Sequence, residues 1–203
     1  DGRPLETRVR ETTDRVLAYL SQPSSKPLLL WVHYFDPHTP YAPPEPFLSN
    51  YAGKPYLGEV AAMDHQLGRL VQAFERQVRG PVAIVVAGDH GEGLGEHGEP
   101  QHGNLLYQST MHVPLIYRQP GKIPAGARSS IMTSNYDILP TVLSCLRLGD
   151  QLPTQPPRPG RDYSAVLRGQ PLDNWEDVVF YEFENCRTIR TSPRARKRPV
   201  VTV

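Results

Sequence analysis

Asp89, His90, Glu92, Glu96, His97 and His102, all able to ligate a cation or move a proton, crowd into positions 89–102. Gly91, Gly93, Gly95 and Gly98 separate them, so the backbone can curl and turn several toward one point. Asp89 and His90, a carboxylate beside an imidazole, suit a shared divalent cation. The same pair could equally be an Asp that caps the next turn beside a surface histidine. His102 can donate to an anionic oxygen or act as a general acid, or it can rest against a nearby carboxylate. His97 is read as a supporting histidine, satisfied by a carboxylate and steadying the others. A smaller group is Asp36-Pro37-His38-Thr39-Pro40. Prolines on both sides hold that backbone extended and present the His38 imidazole rigidly, although a plain turn would have the same pattern. His33 is assigned to packing beside a strand.

Both groups follow apolar runs. Leu28–Tyr34 is continuously apolar up to His33 and bounded by prolines, which predicts a strand buried on both faces. Val82–Val86 is rich in β-branched residues and predicts a second buried strand, running straight into Asp89. Between them, Val60, Met63, Leu67, Leu70, Val71 and Phe74 repeat at helical spacing over Leu57–Val78. Strand, helix, strand predicts a parallel βαβ unit with a right-handed crossover. Ligands of such sheets bind at the carboxyl ends of strands, where both histidine groups then fall. Further elements are expected at Glu6–Leu20 (helix), Val113–Tyr117 (strand), Tyr136–Leu146 (helix) and Val178–Phe183 (strand). The proline-rich stretch Phe35–Tyr56 is expected as a loop, and the basic tail Arg187–Val203 as solvated.

The chain has 203 residues, enough for one sizeable core. Its 22 Lys+Arg against 21 Asp+Glu leave a net charge of +1, which argues against a nucleic-acid partner. The 22 prolines, roughly twice average usage, disfavour a plain helical bundle. Apolar runs fall short of the roughly 20 residues of a membrane span. Two distant cysteines make no disulfide framework. No targeting segment is visible, so the compartment stays open. No phosphate-cradling loop, nucleophile elbow or His-Glu-x-x-His helix occurs.

Taken together, Gly88-Asp89-His90-Gly91-Glu92-Gly93-Leu94-Gly95-Glu96-His97-Gly98, then His102-Gly103, Leu106-Tyr107 and His112-Val113-Pro114-Leu115, resemble the sulfatase family. That family belongs to the alkaline phosphatase-like superfamily. Trp31-Val32-His33-Tyr34-Phe35-Asp36-Pro37-His38, Tyr56-Leu57-Gly58-Glu59-Val60, Asp64–Leu70 and Asn135-Tyr136-Asp137 match it in the same order. The resemblance implies an α/β fold, doubly wound around a mostly parallel sheet with helices on both faces. On it, 1–150 forms the later part of the core, 151–171 a proline-rich connection, and 172–203 a remnant of the C-terminal subdomain. It implies hydrolysis of sulfate monoesters, small-molecule or carbohydrate. Asp89 and His90 match the family's later metal-binding pair. His38 and His102 match its sulfate-contacting residues, His38 also facing the leaving oxygen.

The implied cation is Ca2+, with Mn2+ open because imidazole suits it better. The family's Cys/Ser-x-Pro-x-Arg segment, source of its formylglycine nucleophile, does not occur here, nor does its early Asp-Asp pair. Both are expected upstream, and the chain alone is expected to be inactive. Cys186, with Arg190 four residues on but no proline, is a decoy; Cys145 lies on an apolar helix face. Two other functions stay open: a phosphodiester or phosphonate monoester hydrolase of the same superfamily, and a non-catalytic remnant that binds anions or glycans.

Overall fold

A computed structural model describes residues 8–22, 24–151, 156–157, 159–183 and 186–191. It divides into two units, one up to Val82 and one from Ala83. The start of the first expected helix, part of the 151–171 connection and the tail beyond Thr191 lie outside the described residues.

In the first unit, helix α1 (Arg8–Leu20) packs on the long helix α3 (Pro55–Gln77), with the single turn α2 (Phe47–Asn50) beside α3. Val9, Thr13, Ala62, Leu70 and Ala73 form the core, and Asp14 pairs with Arg69 at 2.8 Å. The buried face of α3 differs from the apolar stripe read in the sequence. It consists of Gly58, Glu59, Ala62, Gln66, Leu70 and Ala73, one step round the helix. Alanines let α1 approach closely, and the buried polar residues have partners of their own. Glu59 holds a loop, and Gln66 accepts from Arg69 at 2.7 Å.

The expected strand Leu28–Tyr34 makes no ladder with any described residue. Leu29 and Trp31 are 88% and 89% exposed, the reverse of the expected two-sided burial. Apolarity marks a segment as suited to a sheet interior; a strand also needs edges that accept its N–H and C=O groups.

In the second unit, β1 (Ile84–Ala87) pairs with β2 (Leu115–Arg118), and β3 (Val178–Phe183) with β4 (Cys186–Thr191). Both pairs are antiparallel, so the expected parallel βαβ ladder is not present among the described residues. That unit needs Leu28–Tyr34 as its first strand, and although its crossover helix is present as α3, no described residue pairs with that segment. Residues 88–114, which join β1 to β2, form a glycine-rich loop with a 3-10 turn at Glu96–Gly98 and the four-residue helix α4 (Gln108–Met111). Residues 187–191, expected to be solvated tail, form β4, and Arg190 donates to the Leu106 carbonyl at 2.8 Å.

Helix α5 (Ile138–Cys145) follows a 3-10 turn at Asn135–Asp137, and the short α6 (Ser164–Leu167) falls in the expected connection. Cys145 is half-buried, and burial pushes its thiol pKa up, as befits an unreactive packing residue. Asp137, only 1% exposed, accepts the Ser134 and Arg161 amides at 2.9 and 2.7 Å and the Arg161 guanidinium at 3.3 Å. That guanidinium lies 4.0 Å over the Trp175 ring. Asp137→Ala is expected to cost about 3–5 kcal/mol, because it orphans two amides and a charge. A urea midpoint that moved by less than a quarter of the total stability would contradict this hub.

Candidate functional site

In the second unit, β1 delivers the chain to Gly88, whose amide donates to the Pro114 carbonyl at 3.0 Å. Asn135 donates its side-chain amide to the Gly88 and Asp89 carbonyls at 3.0 and 3.5 Å and so fixes the turn after the strand. Asp89 there accepts the His90 amide at 3.0 Å, with its side chain 76% exposed. The His90 Nδ1 lies 2.9 Å from the Gly91 carbonyl. A carbonyl only accepts, so Nδ1 carries the hydrogen and the neutral ring's lone pair sits on Nε2. That atom lies 3.8 Å from Asp89 Oδ2.

His102 is brought to the same place. Its ring stacks on His90 with centroids 3.9 Å apart. Its Nδ1 donates to Glu92 Oε1 at 3.1 Å, and the Glu92 side chain is only 5% exposed. The return of the chain is held by Glu99, buried, whose Oε1 accepts the Asn104 and Leu105 amides at 2.8 and 3.0 Å. Asp89, His90, Glu92 and His102 thus form one cluster. His97 has left-handed backbone (φ 55°), is exposed, and stacks on Tyr107 at 3.8 Å.

Asp89 Oδ2 and His90 Nε2 are the atoms that could hold a divalent cation, since an ion about 2.0–2.6 Å from each ligand can bridge donors at this separation. Two donors are fewer than the four or more that such ions take. Among the described residues no group of three or more His, Cys, Asp or Glu side chains is arranged as a metal site.

In the first unit, His38 lies in the proline-rich loop. Its Nδ1 is 2.6 Å from the Thr39 carbonyl, and its ring lies 4.3 Å from Phe35. Its amide donates to Glu59 Oε2 at 3.0 Å, and the Ala42 amide donates to Glu59 Oε1 at 2.6 Å. Burial raises the Glu59 pKa, partly offset by those two amides.

Sequence reasoning missed Glu59, Glu99 and Asn135 as supports. It counted Glu92 as a possible ligand rather than as the partner of His102. Asn135, Glu59 and Glu92 had a signal, since each lay in a matched motif; Glu99 had none that separates it from a surface carboxylate. No helix among the described residues is long and apolar enough to cross a membrane.

The chain is 32% identical over 131 residues to an N-acetylglucosamine-6-O-sulfatase of Bacteroides thetaiotaomicron, covering 63% of this chain and 23% of that protein. It is 25% identical over 202 residues to an endo-4-O-sulfatase of the same organism, covering 82% and 39%. Its fold matches the crystal structure of the phosphonate monoester hydrolase of Agrobacterium radiobacter with a TM-score of 0.73 and 22% identity, covering 86% and 45%. The chain spans less than half the length of each of these three proteins. Residues 4–148 match the family model described as Sulfatase. That stretch holds the Asp89–His90–His102 cluster and the His38 loop alike, and by it the chain belongs to the sulfatase family.

Proposed function

We propose that this chain carries part of the active site of a hydrolase of sulfate monoesters, with a carbohydrate sulfate as substrate. The observation that supports it most is the Asp89–His90 pair stacked against a His102 whose Nδ1–H is fixed by buried Glu92. In this reading Asp89 and His90 hold a divalent cation, Ca2+ or Mn2+, which would neutralise sulfate oxygens as they gain charge. His102, with Nδ1–H committed to Glu92, aims its other ring nitrogen at the sulfate and adds a directed positive charge when protonated. His38 contacts the sulfate and gives a proton to the departing sugar oxygen. His97 supports the loop through Tyr107. The nucleophile, formylglycine in the family, would come from residues other than these, and metal dependence belongs to this proposal alone.

His102→Ala and His38→Ala are each expected to lower turnover of an aryl or glucosamine sulfate about 10²–10⁴-fold in the protein as its natural host makes it. Wild-type turnover in both variants would sink the assignment. A second reading, hydrolysis of a phosphonate monoester or phosphodiester, draws support from the phosphonate hydrolase fold match. Assaying phenyl sulfate beside a phenyl phosphonate ester separates the two. Tight binding of sulfated glycan with no turnover of either ester would point instead to a binding remnant.

A further inference from the structure

One turn of α3 touches the His38 loop at four points. The Glu59 carboxylate accepts the His38 and Ala42 amides, at 3.0 and 2.6 Å, one oxygen for each. The Tyr56 ring meets Tyr41 edge-on at 5.5 Å. Gly58 lies so close to the loop that a Cβ there would come within 2.8 Å of Pro43 Cγ. Glu59 itself is 3% exposed. A buried carboxylate facing two amides is held more firmly than a neutral acceptor, since charge-assisted bonds are roughly twice as strong. α3 is the longest helix of the unit and is itself braced by α1, so the loop inherits a rigid support.

We propose that Glu59 is a positioning residue for His38: its carboxylate clamps both ends of the His38–Ala42 segment and sets where the imidazole stands. This rests on the proposed role of His38 at the sulfate. The two amides are four positions apart along the loop, so one side chain fixes a whole turn and not a single contact. Tyr56 and Gly58 add bulk contact on either side of the clamp. The arrangement serves presentation of a side chain: a buried carboxylate takes two backbone amides of the loop that carries it.

The test combines amide exchange with a mutant cycle. In Glu59→Ala, exchange at the His38 and Ala42 amides is expected to quicken at least about tenfold, while amides elsewhere on α3 keep their protection. Turnover of an aryl sulfate is expected to fall about 10–100-fold, the range seen when a group that orients a site residue is removed. Combined with His38→Ala, Glu59→Ala should add no further loss, because both act through one imidazole. Glu59→Gln keeps one acceptor and should fall between wild type and Glu59→Ala on both readouts. Should Glu59→Ala fail to fold, Gly58→Ala displaces the loop with the carboxylate intact and should lower turnover with the same non-additivity. Unchanged exchange at His38 and Ala42 overturns the clamp whatever the activity. Full additivity with His38→Ala overturns the positioning role. Wild-type turnover in His38→Ala overturns the function assigned to His38, and the clamp is then judged by exchange alone.

Discussion

Asp89→Ala is expected to cut sulfate-ester turnover by at least about a hundredfold, and His90→Ala by a similar factor, with bound divalent cation lost in step. A cation set against the oxygens of a transferring group supplies several kcal/mol of charge stabilisation. About 1.4 kcal/mol is a factor of ten in rate, so losing even half of that stabilisation reaches the stated range. Stability should not follow. The Asp89 side chain is 76% exposed and meets the amide and the ring of its neighbour His90. Surface changes of this kind usually lie within about 0.5 kcal/mol. Activity and stability therefore separate, which distinguishes ligand loss from a damaged fold. Asp89→Asn keeps one oxygen and should retain more metal than the alanine. Metal content by mass spectrometry, with Ca2+ and Mn2+ added back separately, gives the readout. Retention of metal and turnover in both alanine variants would remove Asp89 and His90 from the site.

The parts of this site that were legible in the sequence share one property: their chemistry is local. Asp89 and His90 adjoin a β-branched strand and a run of glycines, so both their position at a strand end and the curl after it follow from a dozen neighbouring residues. The helix of 57–78 and the strand of 178–183 were legible for the same reason, since periodicity is a short-range signal. Glu92 was half legible. Its presence was plain, but its partner is His102, ten positions on, and that depends on how the loop returns through Glu99. Glu59 lay in a matched motif, but its role as a support was not legible. A glutamate on a helix reads as a solvated residue until a loop from elsewhere in the unit covers it. The strand expected at 28–34 failed for a related reason. Its apolar side chains describe an environment, and among the described residues nothing supplies that environment, so Leu29 and Trp31 stand exposed.

Gly91→Ala and Gly93→Ala should be the most damaging single-methyl changes in the loop, each costing several kcal/mol, whereas Gly95→Ala should cost about 1–2 kcal/mol. Two separate demands on glycine are at work. At Gly95 the backbone has φ 90°, a left-handed value that an alanine adopts with strain, but open space surrounds the missing side chain. At Gly91 the demand is close approach. A Cβ there would fall on the Ser109 carbonyl oxygen, and one at Gly93 on the carbonyls of Gln101 and Glu99. Those obstacles are backbone, so no rotamer change relieves them. The backbone segments cannot simply part either. Gly91 donates to Thr110 at 2.8 Å, Glu92 to Ser109 at 3.2 Å and Gly93 to Gln101 at 2.7 Å. Any shift that admits a methyl breaks these bonds and carries His90 and Glu92 away from His102. Turnover should therefore fall with stability in Gly91→Ala and Gly93→Ala, unlike in Asp89→Ala, where only turnover falls. Urea unfolding gives the order of costs, and the proton signal of the His102 Nδ1–H reports the Glu92 pair directly. If Gly91→Ala proved no costlier than Gly95→Ala, with that signal intact, the loop would have slack that the Ser109 contact denies. His102 would then need some constraint other than this backbone packing to hold it against His90.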